Sequence, residues 1–241
     1  MLIKAADSRA DDISALERLR ARPDLTPLLR DRVLQRLKTE VSGAKNEADV
    51  AYKIELYFGR SNNWVTIHGL RFEVGGYAAQ IDHLLINRLA EIWVCESKHF
   101  AERVRINERG EWTASWQGHE HGLESPVEQV HRQLHLLGRL FEDGLVRPPR
   151  RLGLLPLRPR LRSLVLVSNN AIIERPATRT HALDEVLKAD QLKSRVFDEF
   201  DKASTFRFFG LIGVEGLAKL GREIAALHKP LLVDWESQFG L

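Results

Sequence analysis

Cysteine is nearly missing from the chain. Cys95 is the single one, which excludes an intramolecular disulfide framework and any cysteine-rich zinc site. Glycine and proline number only 16 and 9 in 241 residues, too few for a collagen-like or low-complexity polymer. No apolar run approaches the roughly 18 residues that a membrane span requires; LVLV at 164–167 is among the longest. An excess of one charge is also lacking. Thirty-six Lys plus Arg against 33 Asp plus Glu leave +3, so any nucleic-acid partner must be sought in the distribution of charge rather than its sum. No stretch recurs at a period of 20–50 residues, which excludes solenoids and propellers. The opening MLIKAADSRADD is acidic and has no apolar leader stretch, so a reducing compartment, the cytoplasm, is expected and no membrane partner.

What remains is an ordinary globular composition, 44% hydrophobic and 29% charged. Two helices are expected in the first forty residues. Ile13, Leu16 and Leu19 follow the acids Asp11 and Asp12, and Thr26-Pro27 opens a second stripe through Leu29, Val33, Leu37 and Val41. Ser42-Gly43 interrupts that stripe, so a third helix is expected from there to Gly59. Its inner face carries Val50, Ala51, Ile54 and Phe58, and Glu47 lies on the same face. Aromatic and β-branched segments then predict strands at WVTIH with LRFEV, at AAQIDHLLIN and at AEIWVCESK, with RVRI and EWTAS as a further hairpin. Gln117 to Glu124 reads as a loop. Ser125-Pro126 opens a helix with the stripe Val130, Leu134, Leu137 and Phe141. LRSLVLVS is apolar on both faces and predicts a central strand. Residues 181–200 read as mostly helical, and Gly216 to His228 as a last amphipathic helix. This order indicates an α/β or α+β sandwich about a mixed sheet. The expected division is a helical extension over 1–41, a main domain over 42–200 and a helical segment over 201–241.

Three ionisable residues stand where strands should bury apolar ones: Asp82 in QIDHLLIN, and Glu96 and Lys98 in WVCESKHF. Alternation puts Ile92, Val94, Glu96 and Lys98 on one face. A tight turn near Arg88-Leu89 makes opposed residues sum to 177 or 178, placing Asp82 across from Cys95 or Glu96. Two carboxylates converging with a lysine form a hard-oxygen site suited to Mg²⁺ or Mn²⁺. From these residues alone, that site and a Glu–Lys pair beside a solvated Asp stay equally open.

The surrounding pattern resembles the NERD (nuclease-related domain) family of the PD-(D/E)xK nuclease-like superfamily. The matching pieces are the helix start from Gly43 to Glu47, QIDH at 80–83, E-x-K with an aromatic at 96–100, Trp112 or Trp116, and P-x-x-Q at 126–129. Asn46 stands where that family commonly has glycine before the glutamate. The resemblance covers roughly 42–141 and implies a restriction-endonuclease-like core within 42–200. It implies Asp82, Glu96 and the Ser97 carbonyl as ligands of Mg²⁺ or Mn²⁺, with Lys98 beside the attacking water. Glu47 becomes an accessory acid and Gln129 lines the site. The implied activity is hydrolysis of DNA phosphodiester bonds. The alternative is a nucleic-acid-binding or assembly module that kept the fold and lost turnover. Strandedness and oligomeric state, monomer or dimer, stay open.

Other signals compete. RPPRRLGLLPLRPRLR at 147–162 carries six arginines and no acid, a composition suited to phosphates or to a solvated connection. Arg150, Arg151, Arg158 and Arg160 are therefore candidate DNA contacts bordering the site, with Lys45, Lys53 and Arg60 beside Glu47 as the next set. His131 and His135 have a spacing that zinc accepts, though a solvent-facing helix surface is the plainer reading. His83 and His99 alternate away from Asp82 and Lys98. Trp112 and Trp116 suit either base stacking or cross-strand packing.

Overall fold

The computed structural model describes residues 1–151, 155–178, 181–206 and 211–241. A short strand β1 (Leu2–Lys4) precedes α1 (Ala10–Ala21) and α2 (Pro27–Phe58). The expected break at Ser42-Gly43 is not there: α2 is one helix of 32 residues, roughly 48 Å long at 1.5 Å per residue. One glycine costs a helix only about 1 kcal/mol. The interruption of the stripe instead marks a change of partner. Val33 and Leu37 pack with Leu16, Leu19, Leu25 and Trp235, whereas Val50, Ile54 and Phe58 pack on the main sheet. Between them the buried positions are polar, Glu40 and Asn46.

Strands β2 (Trp64–Val74), β3 (Tyr77–Asn87) and β4 (Glu91–Lys98) form an antiparallel meander. Next come β5 (Arg103–Ile106), β6 (Trp112–Trp116), β7 (His119–Leu123), α3 (Pro126–Glu142), and the short pair β8 (Arg150–Arg151) and β9 (Leu155–Pro156). The chain continues through β10 (Arg160–Val167), β11 (Ile172–Glu174), β12 (Val186–Lys188), α4 (Leu192–Phe206), α5 (Val214–Ala225) and α6 (Trp235–Phe239). The main sheet has the order β1-β2-β3-β4-β10-β12, with β10 parallel to both neighbours. It is a mixed sheet covered by α3 and α5 on one face and by α2 and α4 on the other, the expected nuclease-like α+β arrangement.

Three local expectations need correction. The segment expected as a loop after Gln117 contains β7, whose exposed HEHGL pattern has no apolar alternation to betray it. It pairs with β6 through a two-residue turn in which Gln117 and Gly118 have φ of 50° and 78°, the twist that matches flanking strands. The stretch 181–200, expected to be mostly helical, is interrupted by the three residues of β12 at the sheet edge. Helix α6 follows the helix expected to be the last. The expected boundaries at 41/42 and 200/201 both fall inside helices, α2 and α4. No described helix is long and apolar enough to cross a membrane.

Candidate active site

Asp82 sits where the sheet changes shape. On β2 both Ile67 and Leu70 face the same core, and so do their partners Leu84 and Ile81 on β3. A three-residue step on a period-two strand means that both strands turn over at this point. Gly69, with φ of 59°, absorbs the turn opposite Asp82, where an added Cβ would stand 3.3 Å from the Ala6 Cα. His83 falls on the other face, buried against His68 with an Nδ1–Nδ1 distance of 2.9 Å.

The β3–β4 register sums to 178 and ends at His83–Cys95. Beyond it the strands part, and the Asp82 carboxylate fills the gap. Its Oδ2 accepts from the Ser97 N–H at 2.8 Å and from the Ser97 hydroxyl at 2.9 Å. Because the N–H and C=O of one residue leave a strand toward the same edge, the Ser97 carbonyl also faces this opening. The side chain across from Asp82 is Glu96, one of the two register options the turn allowed.

Glu96 is only 3% exposed and is held from two sides. Its Oε1 lies 2.6 Å from Lys98 Nζ, and its Oε2 accepts from Gln133 Nε2 at 2.8 Å. Lys98 also donates to Gln129 Oε1 at 2.9 Å. Gln129 and Gln133 are one turn apart on α3, so a single helix face meets both site residues of β4. The start of α3 is set by Ser125, whose hydroxyl accepts from the Glu128 N–H at 3.3 Å, with Pro126 in the first turn.

Glu47 approaches from α2 and is clamped by Arg9, which donates to both carboxylate oxygens at 3.0 and 3.2 Å. The other Arg9 amine bonds Glu40 at 3.0 Å. Electrostatically the three acids form one group. Burial, then Glu96, then Glu47 push the Asp82 carboxyl up to about 8, against the opposing pull of the Ser97 bonds. Burial also raises Glu47; Arg9 opposes this, and Glu96 and Glu40 add to it. Among the described residues no three His, Cys, Asp or Glu side chains are grouped closely enough to chelate an ion by themselves. The donor set still fits a hard divalent cation. It offers two adjacent carboxylates and a backbone carbonyl, and a cation there would offset the burial and the repulsion that raise the Asp82 carboxyl.

Structure and expectation part at the arginine-rich segment. Arg160 opens β10 opposite Glu91, and the site end of the same ladder is Val167 opposite Lys98. Seven residues of strand, roughly 23 Å at 3.3 Å each, separate the two ends. Arg158 is exposed and loosely paired with Glu142 at 4.0 Å, Arg160 pairs with the buried Glu91 at 3.6 Å, and Arg150 is exposed on β8. The Arg151 side chain lies outside the described residues. Arg158 and Arg160 therefore do not border the acids. His131 bonds Glu185 at 2.7 Å, Trp112 is buried and Trp116 exposed, and Cys95 is buried with its thiol pushed far above its ordinary range by desolvation.

Sequence reasoning missed Gln133 and Arg9. The first was readable as the position one turn beyond Gln129. Arg9 had no such signal, because it precedes α1 in a segment without pattern.

The family model described as the nuclease-related domain matches residues 42–167. That span runs from the middle of α2 to the end of β10 and contains Glu47, Asp82, Glu96, Lys98, Gln129 and Gln133. A place in the PD-(D/E)xK superfamily is consistent with this match. No curated protein and no solved structure matches the chain.

Proposed function

Because the chain belongs to the nuclease-related domain family, we propose that it hydrolyses phosphodiester bonds of DNA with the help of Mg²⁺ or Mn²⁺. The observation that carries this reading is the meeting of Asp82, Glu96 and Lys98 at the parted end of β3 and β4. Asp82, Glu96 and the Ser97 carbonyl would hold the ion. When bound, it supplies charge neutralisation on the phosphate and an acidified water. Lys98 is held between Glu96 and Gln129 at 2.6 and 2.9 Å, so its ammonium is aimed before substrate arrives. From there it orients the attacking water or neutralises a phosphate oxygen. Gln133 fixes the second oxygen of Glu96 and so leaves that carboxylate one orientation. Glu47, with Arg9 on both oxygens, acts from outside this group on its waters.

A second reading has its own observation. Glu96, Asp82 and Glu47 each already have a partner within the chain, as a binding or assembly module without turnover would also keep them. Incubating the protein with single- and double-stranded DNA decides between the two, in Mg²⁺, in Mn²⁺ and in chelator. Cleavage that requires metal, and that is lost in Asp82→Asn and Glu96→Gln, supports the hydrolase. Binding without cleavage under every condition supports the module.

A further inference from the structure

The chain contains ten lysines, nine of them with described side chains. Six of those nine are engaged. Lys4 pairs with Asp7, Lys98 with Glu96, Lys219 with Glu223 and Lys229 with Glu73. Lys188 donates to the Asn169 carbonyl, and Lys193 lies over the Tyr57 ring. Among the described residues Lys38, Lys45 and Lys53 have no hydrogen-bond or ion-pair partner, and all three line one cleft of about 720 Å³ along α2. Asp49 is the lone acid in its wall. An ammonium left without a partner is ordinary on a surface; three of them converging on one concavity leave a positive potential there that Asp49 alone among the described lining residues offsets in part.

We propose that this cleft binds a single strand of nucleic acid and leads it to the Asp82–Glu96–Lys98 end of the sheet. The occupant follows from charge, shape and position. Lys38 and Lys53 are fifteen residues apart on α2, roughly 22 Å at 1.5 Å per residue. That distance spans about six nucleotides stacked at 3.4 Å, so the lysines match a run of phosphates better than one small anion. The cleft has the volume of a small-molecule pocket, within the roughly 300–1,000 Å³ typical of those. A duplex, whose major groove alone is about 12 Å wide, does not enter it. The floor includes Val41, 46% exposed, apolar surface against which an unpaired base loses water without needing sequence-specific bonds. Its wall also includes His99, Ser168 and Asn170, which directly follow the paired ends of β4 and β10 at Lys98 and Val167, so the cleft lies at the same end of the sheet as the acids. The inference rests on the hydrolase reading for what happens to the strand, but not for its binding.

The test separates the two. Binding of a fluorescent oligothymidylate of about a dozen nucleotides, in the size range of known single-strand sites, is measured by anisotropy in chelator at several salt concentrations. No cleavage can then intrude. Each lost phosphate contact on single-stranded DNA removes roughly 0.7 from the slope of log affinity against log salt. The triple variant Lys38→Gln, Lys45→Gln, Lys53→Gln is therefore expected to flatten the slope by about 2. The variant Arg147→Gln, Arg150→Gln, Arg158→Gln loses the same charge at the far end of the sheet and should leave the slope unchanged. Equal flattening in both variants, no flattening in the lysine variant, or duplex bound through the lysines as tightly as single strand would overturn the proposal. Cleavage with an unaltered slope sinks the cleft and spares the hydrolase; lysine-dependent binding without cleavage does the reverse. Circular dichroism checks that both triple variants fold, which is expected since five of the six side chains are exposed and Lys53 is half-buried.

Discussion

Replacing Asp82 by Asn should stabilise the metal-free protein, and by an amount that grows with pH. In the folded chain the Asp82 carboxyl is pushed up to about 8, first by burial and then by Glu96 and Glu47, from an ordinary 3.8. Between those pH values the folded state holds a proton that the unfolded chain has released. The protein therefore loses stability as pH rises from about 4 through about 8, and carries the full cost above that. At about 1.36 kcal/mol for each pH unit, the interval sets a ceiling of roughly 5–6 kcal/mol. Asparagine keeps an oxygen to accept from the Ser97 N–H and removes the charge. Urea unfolding in chelator from pH 5 to 9 should then show wild type falling while Asp82→Asn stays level, with a gap of at least 2 kcal/mol at pH 9, well under that ceiling. Added Mg²⁺ should close the gap from the wild-type side, by about 2.7 kcal/mol at a hundred times its Kd, and leave the variant unmoved. Parallel pH curves for the two proteins, or a variant less stable at pH 9, would refute the argument that burial and the neighbouring acids raise the Asp82 carboxyl in the folded state.

Three further outcomes are expected. Lys98→Ala should lower cleavage by roughly 10²–10⁴, while isothermal titration finds metal affinity little altered; unchanged cleavage removes this ammonium from the mechanism. Gly69→Ala places a side chain at φ of 59° and 3.3 Å from Ala6, and should cost on the order of 1–3 kcal/mol in urea unfolding and slow cleavage through displacement of Asp82; wild-type values for both would show that the turnover of β2 and β3 does not need glycine. Phe58→Ala removes a ring stacked on Phe197 and edge-on to Trp64, and should cost about 3–5 kcal/mol, read as a lowered urea midpoint; a loss below 1 kcal/mol would show that the surrounding core closes over the gap.

The acids and the lysine were legible because charge in an alternating apolar strand is conspicuous, and the turn at Arg88-Leu89 narrowed their register to two choices. Packing on β10 confirmed the central strand for the same reason: a segment apolar on both faces has few other places to go. What failed were readings that treated proximity in sequence as proximity in space. The arginines of 147–162 lead directly into β10, but they enter it at the end away from Lys98, because β10 runs parallel to β4. Ser42-Gly43 looked like a stop because the stripe lost its apolar residues there, when the helix was only passing from one core to another. Strand β7 left no trace since both its faces meet water. Arg9 is the clearest gap, a guanidinium whose meaning lies wholly in two acids 31 and 38 residues away.

The unbroken course of α2 joins the site to a remote cluster. Arg9 stands at the start of α1, and α1 is held to the first half of α2 mainly by Leu16, Leu19, Leu25, Val33, Leu37 and Trp235. Six buried side chains make a small reservoir of stability, so this corner opens more readily than the sheet. An opening there would draw the guanidinium off Glu47 and leave that acid bare beside Asp82. Packing in the first half of the helix would thereby bear on whether the third carboxylate is free to bind anything else. Trp235, which touches none of Asp82, Glu96 and Lys98, thus bears on the site through the corner that seats Arg9 on Glu47.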